Sequence, residues 1–370
     1  MVDRDRLRRS VELERQALGA AALVAMAPEN IYYASGAYID SQKDIRERAN
    51  FAVFFPHRPP LLLTSDIELA GARAQSPLED VRCYQEFADE PAAALAALLQ
   101  VEAAPGPVGV ETDYLPARWQ AILAASRELI PADRFWDRLR MVKSQGEIDF
   151  LARIHRDTER AILGAFAASR PGDSARCVAA RMMGLLAERG ADSIPFLALG
   201  LGRQGSRLVH ARPDDTPLEA GDVVRVDFGG IFGGYWSDTA RMAVVGPPSP
   251  EQEALWQGLI RIRDRIIAAM RPGSSMVEVY ETGKAAYAAE GLPFAMPHVG
   301  HSIGLEIHEY PLLCPWHDEV LQPGMVFEVE PFVIDPELGG FHVEDLVAIT
   351  PDGPRVLTGA FDTSRLFVID

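Results

Sequence analysis

The sequence predicts an α+β protein in which a small α/β domain precedes a larger domain built from two similar halves. Strand and helix signals alternate over residues 1–135. From residue 143 onward the order becomes helix, helix, hairpin, and the same order then occurs a second time. A chain of 370 residues is also longer than one typical domain. We therefore expect two domains, covering 1–135 and 139–370.

The first domain opens with a charged segment that is followed by an apolar run, Ala17–Ala27. This run ends like the cleavage site of a signal peptide. The residues before it include Asp3, Asp5 and Glu12, and acidic residues are avoided at the start of a signal peptide. We instead expect an amphipathic helix followed by a short buried strand near Ala20–Ala25.

The rest of the first domain consists of short alternating elements. Two β-rich runs separated by a proline pair are expected to form paired strands, with His57 in the connection. The predicted elements are strands at Phe51–Phe55, Leu61–Thr64 and Val108–Glu111, and helices at Ala92–Leu99 and Ala117–Leu129. This order is typical of a small α/β domain.

The larger domain is marked by helix-start signals that recur. Ser144 and Glu147 form a capping-box pattern, and Ser275 and Glu278 form another in the second half. Asp173 is expected to cap the helix that follows the first one. Since each pair of helices precedes a hairpin, the pattern indicates an internal duplication of architecture. A pseudo-two-fold arrangement would bring the two hairpins face to face.

The first hairpin, Asp222–Val245, has a glycine-rich turn between two β-rich arms. If its turn is centred on Phe232 and Gly233, Asp227 lies directly opposite Asp238, with the two Cβ atoms about 5 Å apart. Two carboxylates at that separation repel each other unless a proton or a cation lies between them. The hairpin therefore predicts that the two carboxylates share a proton or a cation.

The second hairpin, Gly324–Ile349, follows the same logic. A turn centred on Glu337 places Glu330 opposite Glu344. His301 precedes this hairpin in a segment rich in histidine and glycine. Four carboxylates and one imidazole suit a pair of divalent cations. Because the donors are mostly oxygen, manganese is expected, with cobalt or zinc as alternatives.

Composition excludes several other function classes. The formal net charge of −17 disfavours nucleic acid or an anionic membrane as a partner. No run of the sequence is long and apolar enough to span a bilayer. The cysteines, Cys83, Cys177 and Cys314, are widely spaced and are expected to be reduced, buried thiols of a cytoplasmic protein.

Five short segments, VDFG, YWSDTAR, GHSIG, EVEP and HVED, carry these candidate ligands at spacings that resemble those of the pita-bread metallopeptidases. The resemblance is closest to the prolidase and Xaa-Pro aminopeptidase branch, and it covers the chain from about Leu139 onward. More weakly, Pro28–Tyr33 and Ser35–Gly36 resemble the creatinase-type N-terminal domain. The resemblance implies a creatinase-like α/β domain followed by a pita-bread catalytic domain, assembled as a homodimer through the N-terminal domain.

The resemblance also implies a role for each matching residue. The implied metal ligands are Asp227, Asp238, His301, Glu330 and Glu344. Asp238 and Glu344 would bridge two ions, and Glu330 would also handle the proton of a hydroxide shared by those ions. His210 would line the site and contact substrate, and His308 would support the scissile carbonyl or the tetrahedral intermediate. A strand kinked at Gly304 is expected to bring His301 and His308 to the same site.

Two positions depart from the family pattern near the expected substrate pocket. His342 stands where the family often has arginine, and His298 lies one residue closer to His301 than the usual histidine does. Both are therefore candidate substrate-binding residues. The remaining histidines, His57, His155 and His317, are interpreted as ordinary surface or core residues.

The leading function is a metal-dependent hydrolase that cleaves the Xaa-Pro bond of dipeptides or short peptides through a hydroxide shared by two metal ions. One alternative is a hydrolase or lyase of the same fold that acts on a small non-peptide metabolite. Another is a binding module that keeps the pita-bread pocket without catalysis. The five filled ligand positions disfavour the binding module.

Overall fold

The structure is a computed structural model that describes residues 2–45, 47–56 and 58–370. The predicted strand connection through His57 therefore lies outside the described residues. The described chain divides into two compact units, 2–140 and 141–370. No helix within these described ranges has the length and apolar character needed to cross a membrane.

The first unit combines short helices with one sheet. Its helices are α1 Arg4–Ala17, α2 Pro28–Ser35, α3 Ser41–Asp44, α4 Leu69–Gln75, α5 Pro91–Glu102, α6 Ala117–Ala124 and α7 Asp133–Met141. Its strands are β1 Ala22–Ala25, β2 Phe51–Phe54, β3 Leu61–Ser65, β4 Asp80–Tyr84, β5 Val108–Val110 and β6 Leu129–Pro131. In the described residues these strands form a six-stranded sheet in the order β4-β3-β2-β1-β5-β6.

Burial explains why these runs form the sheet. Every residue of β1, β2 and β3 is buried, as expected for apolar strands covered on both faces. The predicted pairing of β2 with β3 is confirmed, and it is antiparallel, with Phe51 opposite Leu63. The predicted helix from Ala117 to Leu129 is too long. It ends at Ala124 because Leu129 pairs with Val108 and opens β6.

The second unit contains longer helices and three sheets. Its helices are α8 Gln145–Ala167, α9 Ala175–Glu188, α10 Gly202–Gly205, α11 Pro250–Ala269 and α12 Met276–Glu290. Its strands are β7 Ser193–Leu201, β8 Val223–Phe232, β9 Tyr235–Trp236, β10 Thr239–Val245, β11 Gly300–Ser302, β12 Glu309–Leu312, β13 Val326–Val329, β14 Phe332–Asp335, β15 Gly339–His342, β16 Asp345–Thr350, β17 Gly353–Val356 and β18 Phe367–Ile369.

The strands of each half form their own sheet, except that β18 from the C-terminal end joins the sheet of the first half. Among the described residues, β18-β10-β8-β7 form one sheet to which β9 adds through β8, and β12-β11-β13-β16-β17 form another. The pair β14-β15 is a separate two-stranded sheet. The helices α11 and α12 pack over a core that includes Trp256, Ile262, Phe327 and Val347.

Helix starts in the second unit follow the capping chemistry of the sequence. The boxes at Ser144 and Ser275 are confirmed, because each serine accepts from the third residue of its helix while that residue's glutamate accepts from the serine amide. The expected cap at Asp173 is wrong. Ser174 caps α9, while the Asp173 carboxylate accepts from the Arg170 amide and from Arg181.

The two halves repeat the same backbone ties. In the first half Gly172 N donates to Leu218 O at 2.8 Å, and in the second half Gly273 N donates to Leu321 O at 2.9 Å. Both ties fasten the turn between the paired helices to the segment before the hairpin. The predicted duplication of architecture is therefore visible in the hydrogen bonds as well as in the element order.

The cysteines depart from expectation. All three thiols are free, but only Cys314 is buried, while Cys83 and Cys177 are exposed. Cys83 lies on β4, an edge strand of its sheet, and Cys177 lies on α9. The prediction of buried thiols is wrong for these two positions, since one face of an edge strand or surface helix stays in solvent.

Candidate metal centre

The first hairpin supplies two carboxylates, but in a different register from the one expected. Asp227 on β8 lies opposite Ala240 on β10, not opposite Asp238. The turn is formed by Gly233 and Gly234, with φ of 52° and 83°, which is the geometry of a two-residue hairpin turn. The hairpin is therefore centred one residue later than predicted, and Asp238 lies diagonally from Asp227.

Glycine at position 229 makes this diagonal approach possible. A Cβ at Gly229 would lie 1.9 Å from the Ser237 carbonyl oxygen and 3.4 Å from the Asp238 Cα. Real Cβ atoms do not approach backbone atoms so closely, so any other residue would push the Asp238 segment away. The glycine-rich sequence thus serves the close approach of the strands as well as their turn.

The second hairpin has the predicted register. Val329 lies opposite Asp345 in the larger sheet, and Phe332 lies opposite His342 in the β14-β15 pair. Both ladders belong to one continuous alignment, which places Glu330 across from Glu344, as predicted. These two glutamates fall in the gap between the ladders, where the paired strands change from one sheet to the other.

The two hairpins meet at this gap. Glu344 N donates to Ala240 O at 3.3 Å, and the side chain of the buried Arg241 donates to Glu344 O. Arg241 also contacts Glu159 at 2.6 Å and Asp345 at 2.8 Å. This fully buried arginine ties the end of one hairpin to the middle of the other, as the pseudo-two-fold arrangement predicts.

The five predicted ligands come together in two overlapping groups. One group is His301, Glu330 and Glu344, and the other is Asp227, Asp238 and Glu344. In each group one ligand atom per residue lies within 4.8 Å of the others. His301 Nε2 is 3.4 Å from Glu330 Oε1 and 3.7 Å from Glu344 Oε1. Since Glu344 belongs to both groups, the arrangement can hold two neighbouring cations.

Unsatisfied atoms point to the same place. Among the described residues, four ligand atoms are buried without a hydrogen-bond partner: Asp238 Oδ1, His301 Nε2, Glu330 Oε1 and Glu344 Oε2. Buried polar atoms without partners are rare in folded proteins. The other imidazole nitrogen of His301, Nδ1, lies 3.1 Å from Ser302 O, so that Nε2 is free to face the carboxylates. The donor set therefore fits divalent cations.

Electrostatics show how costly this cluster is without cations. Burial raises the pKa of Asp238 well above its usual range, and the charge of Asp227 raises it further. Burial and then Asp238 do the same to the pKa of Glu344. Burial lowers the pKa of His301 well below its usual range, which favours the neutral imidazole that a metal needs.

His308 reaches the cluster, but not on a kinked strand. The strand β11 ends at Ser302, residues 303–308 form a loop, and β12 returns antiparallel from Glu309. The prediction of a continuous strand kinked at Gly304 is therefore wrong. A Cβ at Gly304 would lie 2.7 Å from the Glu309 carboxylate, so glycine permits a tight loop here. The His308 ring stacks on the His301 ring at 3.7 Å, and His308 also forms a close group with Asp238 and His301.

His210 follows α10 and is exposed to solvent. Its ring lies edge-on to Phe196, with the centroids 6.4 Å apart. After the effect of burial, the charge of His210 lowers the pKa of His308, so the two imidazoles face the same region.

His298 and His342 both lie against Glu330. His298 Nδ1 is 3.3 Å from Glu330 Oε1, and His342 Nε2 is 3.7 Å from Glu330 Oε2. His342 Nδ1 is also 3.9 Å from Asp227 Oδ2. Burial lowers the pKa of His298 to about 4, so this imidazole is neutral at physiological pH. The two departures from the family pattern thus border the carboxylates directly.

Two residues beside the centre, Glu328 and His155, were not predicted from the sequence to belong to it. Glu328 lies on β13, two residues before Glu330, which follows the end of that strand. His155 on α8 is a core histidine, as interpreted, yet its Nε2 lies 2.7 Å from Glu328 Oε1 and 3.2 Å from Asp238 N. The alternation in EVEP was the available signal for Glu328, whereas no local signal marks His155.

Comparison with known families agrees with this geometry. Residues 149–351 match metallopeptidase family M24, and residues 6–142 match the creatinase/prolidase N-terminal domain. The first match covers more than half of the chain, so the chain belongs to metallopeptidase family M24. Together with the relatives below, these matches confirm the predicted prolidase branch, the creatinase-type N-terminal domain and the α+β fold.

Individual relatives cover nearly the whole chain. The Xaa-Pro dipeptidase of Pyrococcus horikoshii is 28% identical over 344 residues, which span 91% of this chain and 92% of the relative. The probable dipeptidase PepE of Mycobacterium tuberculosis is 31% identical over 341 residues, or 90% and 89% of the two chains. The crystal structure of dipeptidase PepE from Mycobacterium ulcerans has a TM-score of 0.85 at 28% identity and covers 99% of this chain and 97% of that chain. Membership of this family confirms that the protein is a metallopeptidase-type enzyme, and it implies divalent metal ions.

Proposed function

We propose that the protein hydrolyses the Xaa-Pro bond of dipeptides or short peptides with two divalent cations held by the clustered ligands. The observation that carries this proposal is the pair of buried three-residue groups that share Glu344. The substrate class is supported by the Xaa-Pro dipeptidase of Pyrococcus horikoshii, whose alignment spans 91% of this chain.

The ligand set defines two unequal cation positions. Asp227, Asp238 and Glu344 would hold one ion entirely through oxygen, while His301, Glu330 and Glu344 would hold the other with one nitrogen. Such hard donors favour manganese, with cobalt or zinc as alternatives. When bound, the two ions supply a water of lowered pKa and a Lewis acid for the scissile carbonyl.

The side chains around these ligands account for the remaining steps. Glu330 has two carboxylate oxygens, so one can hold a cation while the other accepts the proton of the attacking water and returns it to the departing proline nitrogen. His308, stacked on His301, is placed to donate to the oxygen on which negative charge develops. A donor at that position contributes about 3 kcal/mol, or about a hundredfold in rate.

Substrate contacts are assigned to the outer histidines. His210 is exposed at the edge of the centre, where it can bind the peptide. His298 and His342 flank Glu330 and are neutral, so they can bind the substrate through hydrogen bonds without adding charge beside the metal ligands. We therefore assign substrate binding to these two residues.

The assembly and location of the protein are further parts of the proposal. A homodimer formed through the first unit follows from the family resemblance alone, and a cytoplasmic location follows from three unpaired cysteines. Sedimentation at micromolar concentration should give twice the mass of the 40.5 kDa chain. A monomer under those conditions contradicts the dimer.

The test begins with metal-stripped protein. Manganese, cobalt and zinc are titrated back while the hydrolysis of Xaa-Pro dipeptides is compared with that of Xaa-Ala dipeptides and longer Xaa-Pro peptides. We expect two ions per chain and faster cleavage of the proline substrates. Asp238→Ala should lose both metal and activity. Glu337→Ala, which removes an exposed carboxylate of the second hairpin, should retain both.

Two outcomes contradict the proposal. One is wild-type protein that takes up no divalent cation, or takes up as much in Asp238→Ala as in wild type. The other is metal-loaded protein that cleaves Xaa-Ala and Xaa-Pro dipeptides at equal rates.

A further inference from the structure

Two buried side chains lie directly behind the metal ligands and take no part in the proposed reaction. Glu328 is on β13, opposite His301 and two residues before Glu330. His155 is on α8, and its ring reaches the segment that carries Asp238. Both side chains are fully buried.

His155 links three separate parts of the second unit. Its Nδ1 lies 2.7 Å from Leu151 O and donates to it, which fixes the ring within α8. Its Nε2 faces the Asp238 N–H at 3.2 Å and the Glu328 Oε1 at 2.7 Å. The lone pair of Nε2 accepts the Asp238 N–H, and the 2.7 Å contact places the Glu328 carboxyl group against the same nitrogen. The imidazole therefore joins a helix, the main chain of one ligand and the strand of another.

Glu328 would be a liability without this partner. Among the described residues, both of its buried oxygens lack a hydrogen-bond partner, and Oε1 has only its close contact with His155. Its charge contributes to the raised pKa values of Asp238, Glu330 and Glu344. A buried carboxylate that loses its partner is strongly destabilising. Without His155, the Glu328 carboxylate would repel the ligand carboxylates and displace them from their positions.

We propose that His155 and Glu328 are positioning residues that act as a unit to set the affinity of the centre for divalent cations. His155 holds the main chain of Asp238 and keeps the Glu328 carboxylate out of the ligand set. The inference rests on the proposed function, because it requires that the clustered residues bind metal. Residues that orient metal ligands in this way change affinity by about 10–100-fold when they are removed.

The experiment measures the Kd for manganese on metal-stripped protein by calorimetric titration. His155→Ala and Glu328→Ala are each expected to raise this Kd by about 10–100-fold. Both substitutions remove the same contact between His155 and Glu328. The Kd of the double variant for manganese should therefore be no higher than the higher of the two single-variant Kd values. His155→Gln, whose amide can reach the Glu328 carboxylate, should give an intermediate Kd.

A matched control separates this role from general destabilisation. Glu86→Gln disrupts a similarly buried pair, with Arg48, in the first unit. This variant should lose stability in the metal-free state but keep the wild-type Kd for manganese. His155→Ala should differ from it in Kd even where the two have equal melting temperatures.

The possible results are distinct. Wild-type protein that binds no manganese overturns the proposed function, and with it this inference. If wild-type protein binds manganese and His155→Ala binds it with a Kd within twofold of wild type, this inference alone is overturned. It is also overturned if the fold-increases in Kd of the two single variants multiply in the double variant. If His155→Ala does not fold, His155→Gln and Glu328→Ala decide in its place, and wild-type Kd values in both refute the assignment.

Discussion

The loop that carries His308 is fastened by a buried ion pair, which can be tested by substitution. Lys143 Nζ donates to Ser302 Oγ at 2.8 Å and to Glu309 Oε2 at 3.0 Å. The Lys143 and Glu309 side chains are 1% and 2% exposed. Glu309 Oε1 also accepts from Leu305 N at 2.8 Å. The pair therefore joins the residue before the loop to the residue after it.

Lys143→Met keeps the length of the side chain but removes its charge. Glu309 is then left as a buried carboxylate without its cation, which costs about 3–5 kcal/mol of unfolding free energy. Adding Glu309→Gln removes the unpaired charge, and its amide oxygen can still accept from Leu305 N. The double variant should therefore recover part of the loss and unfold within about 2 kcal/mol of wild type.

The same substitution should affect turnover more than metal binding. The loop holds the imidazole of His308, and a displacement of about 1 Å in such a group can cost about a hundredfold in rate. The candidate ligand His301, which precedes Ser302 in the chain, keeps its place on β11. We therefore expect Lys143→Met to lose most of kcat at saturating manganese while its Kd for manganese stays within a few fold of wild type.

The assay is chemical denaturation of the metal-stripped protein, followed by fluorescence. Lys43→Met is the control, because Lys43 pairs with Glu29 at a partly exposed site and its loss should cost less than about 1 kcal/mol. The reasoning is refuted if Lys143→Met is as stable as this control. It is also refuted if the double variant is no more stable than Lys143→Met.

Three further predictions concern single residues. His308→Ala should keep its metal and melting temperature but lose about a hundredfold in kcat. Glu330→Ala should lose both metal and activity. A wild-type kcat in His308→Ala would mean that another histidine donates to the oxygen on which negative charge develops. Gly229→Ala should lose about 1–3 kcal/mol and bind manganese more weakly, because its Cβ would meet the Ser237 oxygen; melting and titration identical to wild type would contradict this. Burial raises the pKa of Glu111 to about 7, so the folded protein holds this proton more tightly than the unfolded chain and loses stability as pH rises through about 7. Glu111→Gln should flatten that fall between about pH 5 and 8 in thermal melts, and an unchanged slope would show that another group titrates.

The two hairpins show why one register could be predicted and the other could not. In the second hairpin the turn is marked by Asp335, whose carboxylate accepts from the amides of Glu337 and Leu338, and by Gly339 with φ of 103°. Only one alignment fits these signals. The first hairpin has four glycines, and only Gly233 and Gly234 take positive φ. Composition alone does not distinguish glycines that turn from glycines that permit close approach.

The remaining errors have a common cause in long-range contacts. The strand before His308 ends at Ser302 because β12 and β13 pair on either side of β11 with a shift in register, which no local pattern reveals. The contact of His155 with Glu328 joins a helix to a strand far along the chain. By contrast, the five candidate ligands could be predicted because each lies in or beside a hairpin or short motif that is visible in the sequence.

The shared Glu344 and its bond to Ala240 have a consequence for the cohesion of the second unit. Each half contributes carboxylates that face those of the other half across a common seam, so like charges oppose each other where the halves join. The first half supplies only Asp227 and Asp238 of its group, because the third member, Glu344, comes from the second half. Bound cations would neutralise the facing carboxylates and so stabilise the contact between the two halves. Removal of the cations by a chelator should therefore weaken this contact before it disrupts the sheets. In the metal-free protein, the contact between the halves at the candidate metal centre is therefore the least stable part of the second unit.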